Sequence, residues 1–264
     1  GLGDVYKRQV GTSYRHLTIW DKGEVVELTP PHDVLGQVIG QYLPKTEALR
    51  EMMKKSYDIL SNHPINVERM KKGLNPANSI WFWGAGTRPA LAPFVEKTGH
   101  TGAMISAVDL LKGIAVGADM KVVEVEGANG GLDTNYEGKA DAAVEALLKD
   151  DLDFAYIHLE APDEMGHQGS FERKVQAIEN LDKRIIKRVT EQLEAAGTDF
   201  RMLVLPDHPT PVAIRTHVSD PVPYMLYDST NKQSHTWNYN EKEAQESGNY
   251  IDKGYTIINH LFEK

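Results

Sequence analysis

From about residue 89 onward, short apolar runs alternate with stretches whose apolar residues recur at helical spacing. The runs are Ala103-Met-Ile-Ser106, Val122-Val-Glu-Val125, Phe154-Ala-Tyr-Ile-His-Leu159, Met202-Leu-Val-Leu205 and Tyr224-Met-Leu-Tyr227. Between them a helix is predicted through Leu110 and Ile114, a second from about Glu137 to Lys149, and a third from Ser170 to about Leu193. The third carries Phe171, Val175, Ile178, Leu181, Ile185 and Val189 on one face, and a closing helix runs from about Tyr250 to Phe262. Such alternation predicts an α/β fold, a mostly parallel sheet covered by helices. In sheets of that kind ligands bind beyond the carboxyl ends of the strands.

The first 88 residues lack this rhythm. Gly1–Gln9 follow neither period and end near a basic pair, so they are given no structural role and read as a candidate non-native leader. Gly11–Trp20 reads as a strand, Asp21-Lys-Gly23 as a turn into Val25-Val-Glu-Leu28, and Thr29-Pro-Pro-His-Asp33 as a break. Leu49, Met52, Met53, Tyr57 and Leu60 fall at helical spacing and predict a helix over 45–60, stopping before Asn62-His63-Pro64. Ser79-Ile-Trp-Phe-Trp83 reads as a strand with Trp81 and Trp83 in the core. Residues 10–88 are therefore assigned to one domain and 89–264 to another.

At 264 residues the chain can bury a full core. A formal net charge of −9 with no basic stripe argues against a nucleic-acid partner. No apolar run approaches the length of a membrane span and no signal-type leader is seen, so no membrane partner and a cytoplasmic location are expected. The absence of cysteine removes disulfides and thiolate ligands.

Two of the apolar runs end in dense chemistry. Glu160-Ala-Pro-Asp163-Glu-Met-Gly-His167 places a carboxylate and an imidazole four residues apart, and Leu205-Pro-Asp207-His208 sets the same pair side by side, with His217 nine residues on. Asp163, His167, Asp207, His208 and His217 form a hard to borderline donor set suited to Mn²⁺, Zn²⁺, Co²⁺ or Mg²⁺. Each pair alone is ordinary, since Asp-His is also what a capped turn with a surface imidazole looks like. Two such pairs at two strand ends are less so. With only two carboxylates, a dinuclear centre would need further ligands.

The sequence resembles the archaeal-type cofactor-independent phosphoglycerate mutases of the alkaline phosphatase superfamily, whose bacterial branch has been proposed to contain homoserine kinases. The resemblance runs from about Gly11 to the C-terminus. It rests on Gly11-Thr-Ser-Tyr-Arg-His-Leu17, Thr29-Pro-Pro-His-Asp33, His63-Pro-Ile-Asn66, Asn75-Pro-Ala-Asn-Ser-Ile80, Ile105-Ser-Ala-Val-Asp-Leu110 with Lys112-Gly113, Asp133-Thr-Asn-Tyr-Glu-Gly-Lys139, and the two metal stretches with Arg215-Thr-His217. It implies an alkaline-phosphatase-like core with part of an inserted α+β substrate domain. Asp163, His167 and His217 are then ligands of one ion, and Asp207 and His208 part of the site of a second.

By that resemblance phosphate passes from 3-phosphoglycerate to a serine and back to the 2-hydroxyl, with two metal ions, most simply Mn²⁺, and no 2,3-bisphosphoglycerate. The segments carrying the nucleophilic serine and an N-terminal aspartate are not matched, so the chain is expected to be an N-terminally truncated, inactive portion; Ser13, Ser79 and Ser106 give no firm substitute. A small phosphorylated substrate must be gripped, and Arg15, His16, Arg88 and Lys112 are the candidates for this. An ATP-dependent homoserine kinase is the alternative, although a Gly-x-x-x-x-Gly-Lys-Ser/Thr loop is missing. A non-catalytic metal-binding module is the third reading.

Overall fold

A computed structural model of the chain describes residues 5–10, 15–34, 36–233 and 236–263. It divides into two compact units, Gly1–Pro89 and Ala90–Lys264.

The first unit opens with an antiparallel pair, β1 (Val5–Val10) and β2 (His16–Trp20), in one register from Val10 opposite His16 to Lys7 opposite Ile19, then shifted so that Val5 stands opposite Trp20. Gly1–Asp4 lie outside the described residues, but Val5–Gln9, given no structural role from the sequence, do form a strand: the partner supplies the ladder that local pattern did not announce. Gly11–Tyr14 lie outside the described residues. The turn at Asp21–Gly23 forms as expected, with Gly23 N donating to Trp20 O at 3.3 Å. Val25–Leu28 and Ser79–Trp83 join no ladder among the described residues.

Helix α1 (Glu47–Leu60) matches its apolar stripe and buries Leu49 and Met53. Asn62-His63-Pro64 stops it and also starts α2 (Pro64–Lys71). Proline suits the first turn, where its missing N–H is no loss, and His63 caps by accepting from Ile65 N. Buried Asn66 ties both ends of the following loop by donating to Leu60 O (2.8 Å) and Ala77 O (2.9 Å) and accepting from Ala77 N (2.9 Å). Trp81 is half-buried rather than core, and its indole N–H donates to Thr29 O at 2.7 Å.

The second unit runs α3 (Phe94–Thr98), β3 (Gly102–Ile105), α4 (Asp109–Gly117), β4 (Lys121–Val122), α5 (Tyr136–Leu148), β5 (Phe154–Ile157), α6 (Ala161–His167), α7 (Phe171–Leu181), α8 (Lys187–Ala195), β6 (Arg201–Val204), β7 (Met225–Asp228), α9 (Glu241–Glu246) and α10 (Ile257–Phe262). The α/β expectation holds. β3 lies between β4 and β5 in a parallel sheet, and every residue of β3 is buried. β6 and β7 form a separate antiparallel pair, so the last apolar run departs from the parallel pattern.

The core lies over β5, where Tyr136, Ala140 and Val144 of α5 meet Ile185, Val189 and Leu193, with Ile157 and Met202 against them. Each fully buried large side chain here contributes about 1.5–3 kcal/mol. The helix expected from Ser170 to Leu193 is interrupted by a π-helical turn, Asp182–Ile186. The inserted residue rotates the apolar face. Phe171 and Ile178 before it are exposed, whereas Ile185 and Val189 after it are buried. Arg184, in that turn, holds Glu137 through two bonds of 2.6 and 2.7 Å, and Arg188 holds Asp141 through bonds of 2.7 and 2.8 Å. These two forks fix α5 against the long helix. The carboxyl ends of β3, β5 and β6 then lead directly to Ser106, to His158–Asp163 and to Asp207–His208.

Candidate metal centre

The segment leaving β5 turns at His158–Glu160 and enters α6 with Pro162 in its first turn. Asp163 and His167, one helical turn apart, share a face. The helix stops where Gly169 adopts φ +68°, a left-handed conformation that glycine takes without Cβ strain, and a Cβ there would also meet the Arg215 side chain. After β6, the loop carrying Asp207, His208 and His217 is closed by main-chain bonds from Arg215 N to Pro211 O (2.8 Å) and Val218 N to Pro209 O (3.1 Å).

The structure brings these residues together. His167 Nε2 lies 3.3 Å from Asp163 Oδ2 and 3.1 Å from His217 Nε2, and His217 Nε2 is 3.3 Å from Asp163 Oδ1. One donor atom from each falls within 4.8 Å of the others. Ligands at about 2.0–2.2 Å from a shared ion stand at about these separations from one another. His208 is adjacent: its ring centroid is 3.7 Å from that of His217, its Nδ1 4.0 Å from Asp163 Oδ1, and its Nε2 3.3 Å from Asp207 Oδ2. All five residues expected as ligands thus form one contiguous cluster.

The tautomer of His167 follows from its partner. Nδ1 lies 3.0 Å from Arg215 O, and a carbonyl only accepts, so Nδ1 carries a proton and, in the neutral ring, Nε2 has the lone pair that could meet a cation. Arg215 itself has φ +60°, uncommon for a residue with a side chain, and that backbone turns its carbonyl toward His167. Sequence reasoning missed this contact, because it belongs to the main chain.

It also missed two lysines that tie down the two halves. Lys139 on α5 is fully buried and donates to His158 O at 3.1 Å; burial pushes its ammonium down, opposed by the carboxylate of Glu160. Lys174 on α7 donates to Thr210 O at 2.6 Å, again lowered by burial and opposed by Asp163. Lys139 could have been noticed, since it interrupts the apolar stripe of Tyr136, Ala140 and Ala143. His158 stands 3.3 Å from the Ser106 hydroxyl, and burial lowers it against the pull of Asp207.

Of the candidates for gripping substrate, Lys112 lies in this unit and pairs with Glu124 at 2.7 Å. Arg15 and His16 at the start of β2, and exposed Arg88, belong to the first unit.

The model for the Metalloenzyme superfamily matches residues 11–263. The chain belongs to that superfamily. Membership implies a divalent metal, and the Asp163, His167 and His217 donors fit one in number, type and spacing.

Among individual relatives, the chain is 48% identical over 243 residues to the 2,3-bisphosphoglycerate-independent phosphoglycerate mutase of Methanosarcina barkeri, covering 90% of this chain and 61% of that protein. It is 43% identical over 266 residues to the probable enzyme of that name from Geobacter sulfurreducens, covering 99% of this chain and 66% of the relative. The solved structure of PH0037 protein from Pyrococcus horikoshii aligns with TM-score 0.64 at 33% identity, over 76% of this chain and 51% of that one. The chain therefore spans about two thirds or less of the length of these relatives. The resemblance drawn from the motifs is borne out, and no relative named here is a homoserine kinase. Among the described residues, no helix is long and apolar enough to cross a membrane.

Proposed function

We propose that the chain supplies the metal-binding part of a cofactor-independent phosphoglycerate mutase, interconverting 3- and 2-phosphoglycerate through a phosphoserine. The observation that carries this reading is the convergence of Asp163, His167 and His217, with Asp207 and His208 beside them, in a chain similar to enzymes of that name. Asp163, His167 and His217 would hold one divalent ion, and Asp207 and His208 would contribute to a second; Mn²⁺ is the simplest choice for this oxygen and imidazole set. When bound, such ions neutralise phosphoryl oxygens and lower the pKa of a coordinated hydroxyl.

The chain's own residues do the rest. Arg215 O orients His167, and Asp163 is shared between the two imidazoles of its site. Arg15, His16, Arg88 and Lys112 are the side chains proposed to grip substrate phosphate and carboxylate. Lys112 would have to exchange Glu124 for substrate, which is feasible because Glu124 is largely exposed.

The test uses a polypeptide extended upstream to the length of the relatives, purified with Mn²⁺ and assayed in parallel for 3-phosphoglycerate isomerisation and for ATP-dependent homoserine phosphorylation. Isomerisation that disappears in His217→Ala supports the proposal. Phosphohomoserine without 2-phosphoglycerate would replace it with the kinase reading.

A further inference from the structure

Thr210 lies between two prolines in the loop after β6 and is buried, with only 3% of its surface exposed. Its hydroxyl donates to Asp163 Oδ1, across from its own loop to α6. A hydroxyl has one proton, and Asp163 takes it. The same oxygen lies 3.3 Å from His208 Nδ1, so toward that imidazole it can only accept. A neutral His208 that donates to this oxygen carries its proton on Nδ1 and its lone pair on Nε2. That Nε2 is 3.3 Å from Asp207 Oδ2, about the separation of two ligands on one cation.

Thr210 is also fixed from behind. Lys174 Nζ donates to its carbonyl oxygen at 2.6 Å, and Gly166 of α6 packs so closely that a Cβ there would sit 2.4 Å from that oxygen. The hydroxyl is therefore presented by a main chain held on its carbonyl side. A buried group that contacts one proposed ligand of each site has the position to couple them.

We propose that Thr210 is a positioning residue that joins the two half-sites, orienting Asp163 and fixing His208 as the Nδ1–H tautomer so that Nε2 is free to bind a metal. The inference rests on the proposed ligand set. Outer groups of this kind typically change metal affinity ten- to a hundredfold when removed.

The test compares the unaltered chain with Thr210→Val, which keeps the shape without the hydroxyl, and Thr210→Ser, which restores it. Mn²⁺ binding is followed by titration calorimetry, and imidazole tautomers by long-range ¹H–¹⁵N correlation in metal-free protein. Thr210→Val is expected to weaken Mn²⁺ binding by about ten- to a hundredfold. Thr210→Ser, with the hydroxyl restored, should lose less than the roughly tenfold expected for removal of the group. Equal affinity in Thr210→Val and the unaltered chain would overturn the inference alone; no Mn²⁺ binding by the unaltered chain would overturn the ligand set and this inference with it. Should Thr210→Val not fold, the unaltered chain still decides: His208 found with its proton on Nε2 in metal-free protein defeats the proposal, and the Nδ1–H form supports it.

Discussion

His167 and His217, fifty residues apart in sequence, face each other through their Nε2 atoms at 3.1 Å across the Asp163 carboxylate. Because Arg215 O holds the His167 proton on Nδ1, the Nε2 atom in that pair is a lone-pair donor. An ion bound between them stabilises only the folded chain. At a hundredfold excess over Kd this amounts to about 2.7 kcal/mol, or a rise in Tm of about 5–10 °C for a chain of this size. Melting in Mn²⁺ against EDTA should show that rise, and His217→Ala should abolish it. Identical melting curves for the unaltered chain would remove the metal reading.

Gly166 offers a sharper test of the local geometry. Gly166→Ala forces a methyl group against the main-chain oxygen of Thr210, which cannot rotate away, and should destabilise the chain by about 1–3 kcal/mol while weakening Mn²⁺ binding. Gly113→Ala in α4 meets nothing within 4 Å and should be neutral or stabilising by up to about 1 kcal/mol. Urea unfolding of the two variants distinguishes a packing effect from a general intolerance of substitution.

The difference between what sequence and structure disclose follows the physics of each residue. Asp163 and His167 were legible because four-residue spacing projects two side chains to one helix face, and Asp207 and His208 because they end an apolar run. Helix α6 itself, with seven residues, is too short to show a period. The antiparallel direction of β7 leaves no trace in Tyr224–Tyr227, since apolar content does not encode strand direction. Val5–Val10 form a strand only because β2 pairs with them. The Arg215 carbonyl and the Thr210 hydroxyl act through loop geometry, to which no periodicity applies.

Lys139 is the residue in the α5 stripe where local pattern and burial conflict. Its ammonium donates to His158 O, at the turn that leads to Asp163. Lys139→Met preserves volume and removes the donor, leaving a buried carbonyl to bear a cost of about 1–3 kcal/mol. Chemical denaturation should detect this. A Lys139→Met variant at least as stable as the unaltered chain would show instead that burying the charge costs more than the bond returns.

Asp228 gives the pH dependence a definite sign. Hydrogen bonds from the Thr230 hydroxyl and, on the opposite strand, from Arg201 hold its carboxyl down at about 2, aided by Thr230 N. In the unfolded chain an aspartate titrates near 3.9, roughly two pH units higher. The folded value is the lower one, so this stabilisation is present in full above the unfolded pKa and is lost as pH falls from about 4 toward 2. Asp228→Asn should therefore unfold at lower urea than the unaltered chain at pH 6, and the gap should narrow progressively as unfolding is repeated at pH 4 and pH 3. A gap that stays constant over that range would mean that the Arg201–Asp228 pairing across β6 and β7 does not depend on the carboxylate charge.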